Sequence, residues 1–593
     1  MRLWVFLLAI NLFCASGWAQ KEHLAENYFE QGDYEKALTL YQRLVQEQPR
    51  QPKYVLGLVN TYQQLSQFSE AENLLKARLN ESRIYPLYFV ALANNFNMQR
   101  QVDSAQIYID KVIDFALEQP NYTISLGKAL TDLSLLVSAK SLYLGVMQRH
   151  PDKDFNLQLA RVYGELGELQ PMFETYLNLM ESTPRFIPSI QRYLETYITD
   201  DPLNPANTQL KTALLKRLSE RPETLYNSLL SWLFAQQREY GKAFIQEKAI
   251  YMRSPGGDLN GIKQLGYAAL NDQEDIMAKT IFSYMLNTAA DPRERLSAHL
   301  EILRLERRLG QRPTQEIELA YQGMIKDYQA LDQTQLILDY ADFLAFDQEQ
   351  SQRAIALLSQ AAEASQKSYA EGRLRLLLGD ILVFTEQYNE ALVNYALVQS
   401  VLKDDDLAQE AKFKEAQTSY FRGDFEWAQT QLKVLKSSTA QKMANDAIAL
   451  HVLINENTLE DSTQTALKKF AAAQLLMHQK KYSRAIGALE ILQKEEESER
   501  LADDILHNLG QLYLWTKAPT SAQKQWETLI EQYPESVYID DALFALAQLM
   551  LSELENPEEA KLYLEAIIFN HADSIYFIPA QKQYRTLRRD QIN

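Results

Sequence analysis

A 34-residue period governs the first third of this chain and limits what it can fold into. Leu24, Leu58, Leu92 and Leu126 stand 34 residues apart, and Leu159 follows after 33. Ala37, Ala71, Ala105 and Ala139 keep the same step, with Met172 in the next slot. Tyr28, Tyr62, Phe96, Leu130 and Tyr163 form a third register, and Tyr41, Leu75, Ile109, Tyr143 and Tyr176 a fourth. Pro49, Pro151 and Pro184 close three of the units. Leu24, Ala25 and Tyr28 fall on one face of a first helix, and Ala37, Tyr41 and Leu44 on one face of a second, by the i, i+3, i+4 rule. Gln31-Gly32-Asp33 is the turn between them. Small residues at Ala25 and Ala37 let the two helices approach, and the aromatics fill the space between units. Neither helix buries its apolar face alone, so the units must stack. The closing proline ends the second helix before the next unit begins.

These residues resemble the tetratricopeptide repeat, a helix–turn–helix unit with Leu, Gly/Ala, aromatic, Ala, aromatic and Pro at fixed offsets. The resemblance is continuous over 20–184, five units. It implies an all-α fold, a right-handed superhelical solenoid of antiparallel helix pairs with about 12–14 units in all. Beyond Pro184 the pattern frays. Pro184, Pro188, Pro202 and Pro205 crowd a short stretch, which predicts irregular chain or broken short helices and a flexible seam near 185–205. Degenerate repeats are expected over 185–370 and a second regular array over 371–593. An aromatic three residues before the packing alanine marks the later units: Tyr240/Ala243, Tyr388/Ala391, Phe425/Ala428 and Tyr482/Ala485, as in Tyr34/Ala37 and Phe68/Ala71. Gly266 with Ala278 and Phe282 marks another, as does Gly510 with Tyr513, Ala522, Trp526, Leu529 and Pro534.

Spacings lengthen toward the C-terminus, as from Ala391 to Ala428 and from Ala522 to Ala560, and Gln441 to Asn455 predicts an additional helix. Asp503-Asp504 and Asp540-Asp541 each open a helix, where carboxylates favour the positive end of the helix dipole. The stretch from Tyr533-Pro534-Glu535-Ser536 through Asp540-Asp541-Ala542-Leu543 resembles envelope tetratricopeptide proteins of the outer-membrane assembly (BamD-like) class. That likeness implies an envelope role without naming a partner.

The N-terminus reads as an export signal. Arg2 precedes an apolar run from Leu3 to Phe13, and small residues at Gly17 and Ala19 suit cleavage after Ala19. Lipidation at Cys14 and retention as an uncleaved anchor are the alternatives. Cys14 is the one cysteine of the chain, so cleavage after Ala19 leaves no thiol for a disulfide, metal site or nucleophile. Periplasmic or outer-membrane-associated localisation follows as an expectation. The formal charge of −18 opposes phosphate backbones, so no nucleic-acid partner is expected, and the mature chain should have no transmembrane segment.

Catalytic signatures are sparse. The histidines lie at 23, 150, 299, 451, 478, 507 and 571, no two at helical zinc spacing, and no HExxH, GxSxG or phosphate loop occurs. Ser521 and Lys524 match SxxK, but Ser521 reads as a helix-start residue. Asp404-Asp405-Asp406 and Glu495-Glu496-Glu497 read as solvated linkers, since neither has the alternating ligands and glycine of a calcium loop. No enzyme activity, cofactor or metal is therefore expected. Tetratricopeptide proteins line their concave face with first helices, often through the residue just after the small position. Asn60 and Asn94 hold that slot, 34 residues apart. A carboxamide donates and accepts at once, so this pair is the candidate peptide-binding groove, flanked in register by Glu26, Lys128 and Arg161. Glu22 and Glu26 stand where a carboxylate clamp would need cations and amides. The expected function is an exported scaffold or adaptor for protein partners in the envelope. The alternatives are a structural spacer, or an enzyme or substrate-binding protein hidden in 185–260, where Arg253 to Asp258 reads as an inter-repeat turn.

Overall fold

The computed structural model describes residues 21–81, 84–254, 257–403, 405–435, 441–458 and 464–588. The export segment, with Cys14 and the Ala19 cleavage position, lies outside them. Every regular element among the described residues is helical. The chain divides into two compact units, residues 1–289 and 290–593.

In the first unit a helix over 21–30 pairs with Tyr34–Glu47, and Pro52–Gln64 with Phe68–Leu79. Leu87–Met98 with Val102–Glu118, Thr123–Asp132 with Leu136–Arg149, and Asn156–Glu165 with Leu169–Ser182 complete five pairs. The periodic residues form the core: Ala37, Ala71, Ala105, Ala139 and Met172 are buried, as are Tyr41, Leu75, Ile109, Tyr143 and Tyr176. Leu58, Leu92, Leu126 and Leu159 are buried too, whereas Leu24 is 42% exposed. Leu24 sits on the first described helix, and among the described residues no earlier unit covers it.

The turns inside the pairs are as periodic as the cores. Gly32, Ser66, Arg100, Ser134 and Gly167 all hold a left-handed backbone, at φ between 58° and 81°. The same device recurs at Arg238, Gln273, Gly310, Glu349, Glu386, Gly423, Lys480, Lys517 and Glu555. Each closes a first helix and lets the second double back, as a left-handed C-cap residue does.

After Ser182 the regular pairing lapses. A short helix, Ile187–Leu194, is followed by an irregular stretch up to Asn204, which caps Pro205–Glu220. The stretch is fastened by the buried Asn207, whose amide donates to the carbonyls of Thr199 (2.8 Å) and Asp201 (2.6 Å) and accepts from Thr199 N (3.2 Å). Glu181 spans it, binding Arg217 and, at 2.7 Å, Arg221. Pairing resumes with Thr224–Gln236 and Tyr240–Arg253, then Asn260–Asn271 and Asp275–Thr288. Of the segment proposed to hide an enzyme, 205–253 is taken up by helices of repeat length and 187–204 by the short helix and the irregular stretch. Pro255 and Gly256, in the turn read at Arg253 to Asp258, lie outside the described residues.

The second unit opens with Pro292–Arg308 and Thr314–Asp327. Thr334–Asp342, extended by a wider turn to Asp347, pairs with Ser351–Ala364. Ser368–Phe384 pairs with Tyr388–Val401, and Asp406–Phe421 with Phe425–Leu435. The extra helix Gln441–Thr458 intervenes. Thr465–His478 with Tyr482–Leu492, Ala502–Trp515 with Pro519–Gln532, and Ile539–Ser552 with Pro557–Asn570 follow, and Phe577–Arg588 ends the described chain. Asp405 and Asp406 are not a linker. Asp405 caps Asp406–Phe421 by accepting from Leu407 N at 2.9 Å, because a free N–H at a helix start is better satisfied by a carboxylate than by water. Asp404 lies outside the described residues, and Glu496 opens a short 3-10 turn, Glu496–Leu501.

Candidate functional site: the faces of the first helices

The residue following the small packing position leaves the helix–helix contact and turns toward solvent, because a helix rotates about 100° per residue. In the first unit Asn60 is exposed on Pro52–Gln64. Asn94, at the same register of Leu87–Met98, is half-buried and donates to Gln63 Oε1 at 3.3 Å. Gln63 itself is buried and bonds Asn95 and the Ala91 carbonyl, both at 3.3 Å. Asn95, one residue past the predicted rung, is fully buried and donates to Phe68 O. The flanking slots are taken: Glu26 pairs with Lys53 at 2.8 Å, Lys128 with Asp132 at 2.7 Å, and the Arg161 guanidinium lies over the Tyr193 ring. Lys53 also binds Glu22.

The second unit carries a longer row of the same kind, absent from the sequence reading. Ala416-Gln417, Ala473-Gln474, Gly510-Gln511 and Ala547-Gln548 repeat one dipeptide pattern on four successive first helices, and all four small residues are buried. All four glutamines are half-buried. Gln417 and Gln474 line a cavity of about 210 Å³ together with Asn508, Tyr420 and His478. Gln474 accepts from the Tyr420 hydroxyl at 2.8 Å. Gln511 donates to His507 Nε2 at 3.0 Å, and burial pulls the His507 pKa down, which favours the neutral ring as acceptor. Gln548 and Gln583 exchange amide hydrogen bonds at 2.7 and 3.4 Å.

Upstream in the same unit the equivalent face is ionic. Arg304 binds Glu301 and Asp339, each at 2.7 Å, and Arg307 binds Asp342 at 2.7 Å as well as Asp347. Lys414 binds Asp380 at 3.0 Å. The face thus passes from paired charges to neutral carboxamides. The passage is marked by Gln479, buried in the turn after Thr465–His478, which donates to Phe384 O at 2.9 Å and Glu386 at 3.0 Å.

The Asp-Asp pairs do more than face a helix dipole. Asp503 accepts from Ser536 (2.7 Å) and Asp504 from Tyr538 (2.8 Å). Asp540 accepts from Ser574 (2.6 Å) and Asp541 from Tyr576 (2.7 Å). Each pair receives a Ser-x-Tyr from the turn leading into the next unit. Above each bond an aromatic pair stacks, His507 on Tyr538 at 4.4 Å and Phe544 on Tyr576 at 4.5 Å. The carboxylates therefore join neighbouring repeats. Ser521 lies in the first turn of Pro519–Gln532. Among the described residues no group of three His, Cys, Asp or Glu is placed to hold a metal, and no helix is long and apolar enough to cross a membrane.

Tetratricopeptide repeat profiles match residues 28–88 and 504–536, so the chain carries tetratricopeptide repeats near both ends. No curated protein sequence matches it. The Naa15/Naa10 complex bound to HypK-THB aligns at 11% identity over 92% of this chain and 89% of the other, with a TM-score of 0.34. The P58(IPK) tetratricopeptide domain aligns at 15% identity over 74% and 99%, with a TM-score of 0.19. A tetratricopeptide repeat protein from Parabacteroides merdae aligns at 13% identity over 49% and 98%, with a TM-score of 0.26.

Proposed function

We propose that this protein is an exported scaffold that holds extended segments of partner proteins against the carboxamide row Gln417, Gln474, Gln511 and Gln548, in the service of a periplasmic or outer-membrane complex. Repeat arrays recognise partners through such stacked faces, and tetratricopeptide repeats are present at both ends of the chain. The row carries the reading: four carboxamides at one register offer paired donors and acceptors to a peptide main chain. The export pattern before Gln20 supports the compartment. A spacer role has one observation in its favour, the mutual pairing of Gln548 and Gln583.

The full mature chain, captured with crosslinking from envelope extract, separates these readings. Replacing all four glutamines by alanine should weaken peptide capture by about tenfold or more, since each lost hydrogen bond is worth about 1 kcal/mol. Capture that survives the quadruple substitution at full strength defeats the groove reading and favours the spacer.

A further inference from the structure

The junction between Ala502–Trp515 and the turn leading into Ile539–Ser552 differs from its repeat one unit later. Asp504 is buried, 8% exposed, whereas Asp541 in the same position is half-exposed. Its carboxyl accepts from the Tyr538 hydroxyl at 2.8 Å, and the Tyr538 ring lies flat on His507. The groups acting on this carboxyl are Asp503 on its own helix, Glu456 from Gln441–Thr458, and Tyr538. The buried hydroxyl of Tyr420, on Asp406–Phe421, feels the same charge, and Asp541 acts on both His507 and Tyr538. Arg500, in the 3-10 turn, directs Nη1 to the Glu456 carbonyl at 3.5 Å. Asp504 is thus a buried carboxyl acted on by two further carboxylates, at one of the contacts that join two neighbouring repeats.

We propose that the buried Asp504 carboxyl makes this junction a proton-controlled latch between repeats, closed while Asp504 holds its proton and loosened when the proton leaves to solvent and a charge is left buried there. A protonated carboxyl in this setting still accepts the Tyr538 hydroxyl on its carbonyl oxygen. The ionised form keeps the Tyr538 bond, but it buries a charge with Asp503 and Glu456 acting on it, and the burial outweighs the bond. Burial pushes the Asp504 carboxyl from its ordinary 3.8 up to about 7. A carboxyl raised on folding contributes stability that is complete below its unfolded value and is lost as pH rises through its folded value. The latch therefore loosens as pH rises from 3.8 through about 7, and the last tenfold of that loss falls between about pH 6 and pH 8.

The latch also bears on the carboxamide row, and this second step rests on the proposed function. Gln511 and Gln548 stand on the two helices that Asp504 and Tyr538 join, and Gln511 bonds to the same His507 that stacks on Tyr538. Opening the junction shifts those two rungs relative to each other, so an extended segment spanning both should bind more weakly at pH 8.

Hydrogen exchange on the full mature chain tests the latch without any partner. Corrected for intrinsic rates, protection of amides in 502–552 should fall by about tenfold or more from pH 6 to pH 8, since one pKa unit is a factor of ten. Asp504→Asn should abolish that fall, because the amide still accepts from Tyr538 and carries no proton to lose. Tyr538→Phe removes a bond that holds the Asp504 pKa down, so the fall should move to higher pH. Asp541→Asn should leave the fall in place, which keeps the test sound if one variant folds poorly. Protection that falls equally in Asp504→Asn and in the unaltered chain overturns the latch. A latch that behaves as expected while capture by the carboxamide row is unchanged between pH 6 and pH 8 overturns only the coupling to binding.

Discussion

Gly127 with Tyr143, Gly266 with Phe282, Gly379 with Tyr395 and Gly510 with Trp526 repeat one contact at a spacing of 16 residues. In each, a helical glycine on the first helix receives the aromatic ring of the second, and an added Cβ would lie inside contact distance of that ring, at 2.8 Å for Gly266 and Phe282. Glycine in a helix costs about 1 kcal/mol relative to alanine, so its recurrence here needs a packing reason, and the ring supplies it. Gly379→Ala should gain that propensity yet lose more to overpacking, because Tyr395 is buried and its hydroxyl is held by Asp380 at 2.8 Å. The expected net loss is about 1–2 kcal/mol. Gly323 sits inside Thr314–Asp327 with open space around it, and Gly323→Ala should stabilise by about 0.5–1 kcal/mol. Opposite shifts of the urea midpoint for the two variants are the expected result, and a stabilised Gly379→Ala would show that the ring yields. The sequence pairs Gly266 with Phe282 and Gly510 with Trp526 in single units. Why those positions are glycine becomes visible only when the second helix is laid on the first.

At the level of elements, the paired helices of 21–182 were legible because apolar, small and aromatic registers all coincide there. The registers of Ala37 and Tyr41 are buried rows throughout, whereas Leu24 is exposed and Tyr28, Tyr62 and Tyr163 are only half-buried. The turns were less so. Of the left-handed turn residues, Gly32, Gly167, Gly310 and Gly423 carry the residue type that signals the conformation, while Arg100, Glu386, Lys517 and their equivalents do not. These side chains hold φ near 60° at a cost of about 1 kcal/mol each, set by the helices on either side rather than by local preference. The stretch after Leu194 was legible as a break from its prolines, but the group that fastens it was not. Asn207 sits within a polar Asn-Pro-Ala-Asn run that reads as an ordinary turn, and its burial depends on how the chain returns over it. Asn207→Ala would remove three hydrogen bonds to the backbone of Thr199 and Asp201, residues that are themselves exposed, a loss of about 1–3 kcal/mol by the net worth of such bonds. The effect should be local: limited proteolysis should cut between 195 and 204 markedly faster in the variant, with helix content nearly unchanged. Equal cleavage rates would show that Glu181 with Arg217 and Arg221 holds the stretch alone.

For the molecule as a whole, the change of period explains why the candidate site was only half visible. A 34-residue step from Asn60 finds Asn94 and then Lys128, whereas the glutamine rungs are spaced 37 residues apart from Gln474 to Gln548 and 57 from Gln417 to Gln474. The longer gap is the insertion of Gln441–Thr458, which adds a helix without disturbing the first-helix register on either side. A search anchored on the small residue before each rung, rather than on a fixed step, would have found the row. The division at 289/290 was equally hidden, since the helices on both sides have repeat-like apolar faces. Each unit nonetheless builds its own core. Tyr41, Leu58 and Leu92 belong to one cluster of the first unit, and Tyr321, Leu358 and Tyr395 to one of the second. Between Asp275–Thr288 and Pro292–Arg308 the connection is three residues, Ala289 to Asp291. Separate cores joined by so short a link predict that fragments 21–289 and 290–588 fold independently, as domains with their own cores do. Each fragment should show the helical circular dichroism of its share of the chain and a cooperative thermal transition of its own. Calorimetry of the full chain should then resolve two transitions that the fragments reproduce, each within a few degrees. A fragment that is unfolded or aggregates alone would mean that the two units are one cooperative body, and that a substitution such as Gly379→Ala acts on the whole chain rather than on the second unit.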